Sequence, residues 1–191
     1  AASDVYKRQQ YKKALSRLVF EELFIAQVRL NLIKIDRHKN SKGHKFEIVG
    51  DHFNTFYNKH LPFELTGAQK RVIKEIRQDT ARGFQMNRLL QGDVGSGKTM
   101  IALLSMLIAA DNGYQSCLMA PTEILAQQHY ASLSELLKDM PLEVALLTGS
   151  TKTAERRRIL QGLMDDTIHF VVGTHAIIEE VVQFKNLGLA A

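Results

Sequence analysis

From Tyr11 to about Ile35 the chain contains no Gly or Pro, and Leu15, Leu18, Val19, Phe24, Ile25, Val28, Leu32 and Ile35 recur at mixed three- and four-residue steps. This spacing predicts one long amphipathic helix with Lys12, Lys13, Arg17, Glu21, Glu22 and Arg29 among its polar positions. So short a segment encloses no core of its own and must pack on something else. The polar run from His38 to Lys45 predicts a loop. Residues 1–9 lack clear periodicity and read as foreign to the fold.

The texture changes at Leu61-Pro62-Phe63. Thr66 is placed to cap a helix from Ala68 through Thr80, with Val72, Ile73 and Ile76 as its buried stripe. Met86–Gln91 predicts a short strand, followed by a glycine-rich loop and a helix from Lys98 to Asp111 that Asn112-Gly113 ends. The pattern then predicts a strand at Ser116–Ala120, a helix at Ile124–Lys138, a strand at Glu143–Leu147, a helix at Thr153–Leu163 and a strand at Ile168–Val172. Strands such as Val144-Ala145-Leu146-Leu147 are apolar without alternation, which belongs to a parallel sheet buried on both faces. The expected architecture is α/β, divided into residues 1–60, a helix and basic loop, and residues 61–191, the domain proper.

Composition narrows the class. The chain has 191 residues, 45% of them hydrophobic, enough for one medium domain and an appendage. With no run of about 18 apolar residues and no signal-peptide pattern, it is expected to be cytoplasmic, with no membrane partner. Cys117 is the single cysteine and lies in the apolar run Cys117-Leu118-Met119-Ala120, which predicts a buried strand residue and excludes a disulfide framework. The net charge of +5 is uneven: residues 1–62 hold 12 Lys and Arg against 6 Asp and Glu, and the remainder 13 against 14, giving +6 and −1. Basic charge beside a nucleotide-binding pattern fits a polyanion partner, because each cation that meets a phosphate releases counterions.

The chemistry is concentrated in Gly92-Asp93-Val94-Gly95-Ser96-Gly97-Lys98-Thr99. The spacing G-x-x-x-x-G-K-T, after a strand pattern and before a helix, is the phosphate loop of nucleoside triphosphatases. Glycines open backbone conformations that turn successive N–H groups inward, Lys98 reaches the β- and γ-phosphates, and the Thr99 hydroxyl is the expected Mg²⁺ ligand. ATP and Mg²⁺ are therefore the expected ligands, with Lys98 and Thr99 in the catalytic machinery. Hydrolysis also needs an acidic residue at a neighbouring strand tip. No apolar strand here ends in Asp-Glu; the expected position follows Leu187-Gly188-Leu189.

In order, Leu61-Pro62-Phe63-Glu64-Leu65-Thr66-Gly67-Ala68-Gln69, the phosphate loop, Pro121-Thr122-Glu123-Ile124-Leu125-Ala126-Gln127-Gln128-His129, Leu147-Thr148-Gly149-Ser150 and Val172-Gly173-Thr174-His175-Ala176 closely resemble the RecG-type bacterial DNA helicases of superfamily 2. The resemblance runs nearly without interruption from Arg17 to Leu189. It implies a RecA-like P-loop domain, most of the first of two, behind a connector helix. It also implies an ATP-driven activity on branched double-stranded DNA, by a monomer, in recombination and repair. Gln69 then reads the adenine edge, while Pro121, Thr122, Thr148, Gly149, Thr174 and His175 touch the DNA backbone. Small hydroxyls and amides at strand ends suit phosphates without reading sequence. Arg156-Arg157-Arg158 reads as a solvated helix face. Two alternatives stand beside this: a transcription-repair coupling translocase, and a nucleotide- or DNA-binding module that does not hydrolyse. The resemblance further implies that this piece alone is not competent.

Overall fold

Apolar runs separated by helix caps become, in the computed structural model, a four-stranded parallel sheet with helices on both faces. The structure describes residues 2–40 and 42–191, with side chains from Gln9 onward except those of Lys34 and residues 37–41. The expectation for residues 1–9 therefore falls mostly on side chains outside the described ones. The chain divides into two compact units, 1–43 and 44–191.

The first unit is helix α1, Ala2–Asn40, longer at both ends than its periodicity predicts and replacing part of the expected loop. It is not amphipathic. Phe20, Leu23 and Leu30 fall on the arc that the predicted stripe leaves open, and these apolar side chains and those of the stripe are exposed. Apolar residues distributed around a whole helix are the pattern of a helix buried by its surroundings rather than one with a single wet face.

The second unit holds α2, Asp51–Thr55, extended by a π-helical turn over Phe56–His60, then α3, Gly67–Thr80, and α4, Lys98–Asp111. Strand β1, Gln115–Met119, leads to α5, Glu123–Leu136, and β2, Val144–Leu147, leads to α6, Thr153–Asp165. Strand β3, Phe170–Gly173, a 3-10 turn at His175–Ile178, and β4, Leu187–Ala190, complete it. The strand order is β2-β3-β1-β4, with every neighbouring pair parallel.

Strand alternation sends Leu118, Val144, Phe170 and Val172 into one core with α3, α4 and α5. It sends Cys117, Ala145, Leu147 and Val171 into a second core with Ile159 and Leu163 of α6 and with Ala176 and Ile177. Helix α4 is the centre of the first: Leu103, Leu104, Met106 and Leu107 are fully buried, each such side chain contributing roughly 2 kcal/mol of transfer free energy.

The compact unit includes the segment from His44 onward, because the end of α4 takes hold of it. The Asp111 carboxylate accepts the N–H groups of Gly50 (2.7 Å), His52 (2.9 Å) and Phe53 (3.1 Å), capping α2 from another helix. The Asn112 Oδ1 accepts from the N–H groups of Glu47 and Ile48 at 2.9 and 3.0 Å. Such partners lie about 60 residues away in sequence, where local pattern carries no signal. The expected strand at Met86–Gln91 does not form. A strand exists through its ladder, and these residues make no backbone hydrogen bond to another segment among the described residues. Met86 and Leu90 pack partly against the core, while Leu89 stays 87% exposed.

Candidate nucleotide and nucleic-acid site

Helix α4 returns to β1 through the short turn at residues 112–114, so it runs against the strands and its first residue, Lys98, lies toward the carboxyl edge of the sheet. The phosphate loop sits at that end. Gly95 and Gly97 both have φ +80°, a region that other residues enter at a cost of about 1–2 kcal/mol. A Cβ at Gly97 would also stand 2.4 Å from the Gln69 Nε2, so that side-chain end would have to swing aside and leave its bond to Ser96.

The Lys98 ammonium donates to the carbonyl oxygens of Gly92 (2.7 Å) and Asp93 (2.8 Å), folding over the loop mouth. The residues from Gly92 to Ser96 are exposed, and the first-turn N–H groups of α4 have no helical acceptor by construction of a helix end. An open ring of donors at a helix N-terminus, with a cation beside it, has the chemistry of a polyphosphate cradle. Of the expected magnesium ligands, Thr99 is present and half-buried in the first turn. No group of three or more His, Cys, Asp or Glu that would hold a metal occurs among the described residues.

Gln69 lies against this loop. Its Oε1 accepts from the Thr66 N–H at 2.8 Å, the Thr66 hydroxyl accepts from the Gln69 N–H at 3.3 Å, and the two form a capping box on α3. Its Nε2 donates to the Ser96 carbonyl at 2.9 Å. Both ends of the amide are thus engaged within the protein, leaving one further proton and one further lone pair for a base.

The remaining expected residues fall where parallel topology puts them. Pro121-Thr122 follows β1, Thr148-Gly149 follows β2 and Thr174-His175 follows β3, so all three pairs lie on one sheet edge. Gly173 brings two of them close: a Cβ there would meet the Leu147 carbonyl oxygen at 1.9 Å. The hydroxyls, however, are engaged at Thr122 and buried at Thr148 and Thr174. Thr122 caps α5 by accepting from the Leu125 N–H at 3.3 Å. Thr148 is 2% exposed and its hydroxyl lies 3.1 Å from the Ser150 hydroxyl, with the Thr148 N–H donating to Thr151 Oγ1 at 2.9 Å. Thr174 is equally buried, and its hydroxyl has no partner among the described residues. Pro121, Gly149 and His175 are exposed.

Sequence reasoning missed Glu123. Its carboxylate accepts from the Ser150 N–H at 3.2 Å and the Ser150 hydroxyl at 2.8 Å, tying the start of α5 to the loop after β2. It also missed Arg88, which bridges to α3, and neither has a local signal. Arg156 and Arg158 are paired, to Glu179 at 2.6 Å and to Glu155 at 2.9 Å, and among the described residues Arg157 is the unbridged cation of that trio. Burial pushes the Cys117 thiol up to about 11, which suits the expected inert strand residue.

A phosphate loop opening a helix beside a parallel sheet, with strand-end loops on the same edge, defines a domain of the P-loop α/β class. The chain belongs to the DEAD/DEAH box helicase family, whose pattern matches residues 66–190. It is similar to the ATP-dependent DNA helicase RecG of Aquifex aeolicus, 48% identical over 172 residues that make up 90% of this chain and 22% of that protein. It is also similar to RecG of Bacillus subtilis, 42% identical over 95% of this chain and 26% of the relative. A solved structure of RecG bound to a three-way DNA junction superposes with a TM-score of 0.83 at 47% identity, covering 92% of this chain and 24% of that one. The chain therefore spans about a quarter of the length of these relatives. Among the described residues no helix is long and apolar enough to cross a membrane.

Proposed function

We propose that this chain is the ATP-binding lobe of a cytoplasmic ATP-dependent DNA helicase that works, as a monomer, on branched duplex DNA in recombination and repair. The observation that carries the reading is the phosphate loop, with Lys98 folded over Gly92 and Asp93 at the start of α4. In this reading the loop amides and Lys98 hold the triphosphate, Thr99 ligates Mg²⁺, and the remaining proton and lone pair of the Gln69 amide meet the adenine. Mg²⁺ held there by Thr99 would offset the charge of the phosphates. The strand-end loops at Pro121-Thr122, Thr148-Gly149 and Thr174-His175 follow the DNA backbone without reading bases. The relative captured on a three-way junction supports branched DNA as the substrate. Residues 61–191 then form the larger part of a first RecA-like domain, and α1 acts as its connector.

The chain alone should bind MgATP weakly and hydrolyse little, since Thr99 has no carboxylate cluster to share the metal among the described residues. Titration with a fluorescent ATP analogue tests this, with Lys98→Ala expected to weaken binding by about a hundredfold. Wild-type affinity in Lys98→Ala would remove the nucleotide reading. Steady hydrolysis by the chain, stimulated by forked DNA and lost in Lys98→Ala, would overturn the expectation of dependence on other segments.

A further inference from the structure

The segment that enters the phosphate loop has no ladder to place it. Residues 86–91 make no backbone hydrogen bond to another segment among the described residues, so side chains must set where Gly92 begins. Met86 and Leu90 contribute apolar packing, which fixes depth but not register. The directional contact is Arg88. Its Nη1 donates to Glu75 Oε2 at 2.7 Å, and its Nε and Nη2 donate to Asp79 Oδ2 at 3.2 and 2.5 Å. Glu75 and Asp79 are one helical turn apart on α3, so the planar guanidinium bridges both on one face. The bridge lies at the surface, with the Arg88 side chain 31% exposed, so its hold on the loop comes from the paired geometry of the fork and not from burial.

The same helix meets the loop again further on. Gln69, at the start of α3, donates to the Ser96 carbonyl and lies against Gly97. Helix α3 thus holds the loop at its entry through Arg88 and near its exit through Gln69. A cradle of N–H groups binds phosphate only while those groups converge, and a displacement of about 1 Å in such a cradle can cost up to a hundredfold.

We propose that Arg88 is a positioning residue for the nucleotide: by bridging to Glu75 and Asp79 it sets the entry of the phosphate loop on α3 and so aims the loop amides at the phosphates. This rests on the phosphate-loop reading above. Arg88 touches no ligand itself. Its removal should therefore weaken every ligand that uses the loop amides by the same factor, whatever base that ligand carries.

The test compares the wild-type chain with Arg88→Leu, Arg88→Lys and Lys98→Ala. Each is titrated with a fluorescent ATP analogue and with competing tripolyphosphate in Mg²⁺, and each is unfolded in urea to give the folded fraction under the binding conditions. Arg88→Leu should lose about tenfold in affinity for both ligands beyond any loss of folded protein, and Arg88→Lys about threefold, since it keeps the charge but not the fork. Wild-type affinity for both ligands in Arg88→Leu, or a loss fully explained by unfolded chain, would overturn the proposal while leaving the loop reading intact. Unchanged binding in Lys98→Ala would instead remove the loop reading, and the role of Arg88 with it.

Discussion

The phosphate loop and the strand-end loops share one edge of the sheet and are both legible as short motifs, yet they stand differently in the fold. In the first, the residues from Gly92 to Ser96 are exposed, and the Lys98 ammonium lies on the Gly92 and Asp93 carbonyls. In the second, the hydroxyls that the motifs pick are capped, bonded or buried, as Thr122, Thr148 and Thr174 show. The difference lies in what each motif encodes. The loop motif specifies backbone shape, through glycines that few other residues can replace, and backbone shape is what a phosphate reads. A Thr after a strand serves equally as helix cap, turn former or ligand contact, so its motif fixes the turn and leaves the ligand contact open.

If backbone shape is the content of the loop motif, Gly97→Ala should be the most damaging small substitution on this edge. The new Cβ meets both the φ of +80° and the Gln69 Nε2 at 2.4 Å. Gly95 has the same φ but open space around its Cβ, so Gly95→Ala carries the strain alone. In nucleotide titrations Gly97→Ala is expected to lose about thirtyfold in affinity and Gly95→Ala about fivefold. Equal losses would show that the Gln69 contact has no part in shaping the cradle.

On the other side of the comparison, Glu123 occupies both donors of Ser150 with a carboxylate, in a loop expected to meet phosphates. Glu123→Ala frees those donors and removes a negative charge from the edge. Binding of forked DNA at low salt is expected to strengthen about threefold. Stability should fall by no more than about 1 kcal/mol, because the bridge is solvent-exposed. Weaker DNA binding in a folded variant would mean that the carboxylate holds the loop in its DNA-ready shape, and the strand-end loops would then resemble the phosphate loop after all.

The same division explains how far the sequence reaches. The parallel sheet, the helix boundaries near Thr66, Thr122 and Asp111, and the phosphate loop all follow from local pattern: caps, glycines and unbroken apolar runs. What local pattern does not show lies where the partner is distant. Asp111 and Asn112 draw residues 47–53 into the domain across about 60 positions, and Arg88 finds Glu75 and Asp79 only once α3 is formed. The strand expected at 86–91 depends on a ladder that local hydrophobicity does not guarantee. For α1, mixed three- and four-residue steps look like a stripe until Phe20, Leu23 and Leu30 are placed on the same wheel.

The smallest expected effect is also the most discriminating. Thr174 and Thr148 are each 2% exposed at the ends of adjacent strands, but the Thr174 hydroxyl has no partner among the described residues and the Thr148 hydroxyl bonds into the Ser150 and Thr151 turn. Replacing a buried, unpartnered hydroxyl by a methyl of similar shape removes a desolvation penalty and loses no bond, so Thr174→Val should change unfolding free energy by less than about 0.5 kcal/mol in either direction. Thr148→Val strips a donor and acceptor from a closed turn and should cost about 1–2 kcal/mol. Urea unfolding of the two variants side by side reads the contrast. Should Thr174→Val keep its stability yet lose DNA affinity by more than about threefold, the hydroxyl must rotate out to a phosphate in the complex. Its lack of a partner here would then be the unbound half of a DNA contact, and a Thr after a strand would carry ligand information as the glycines of the loop do.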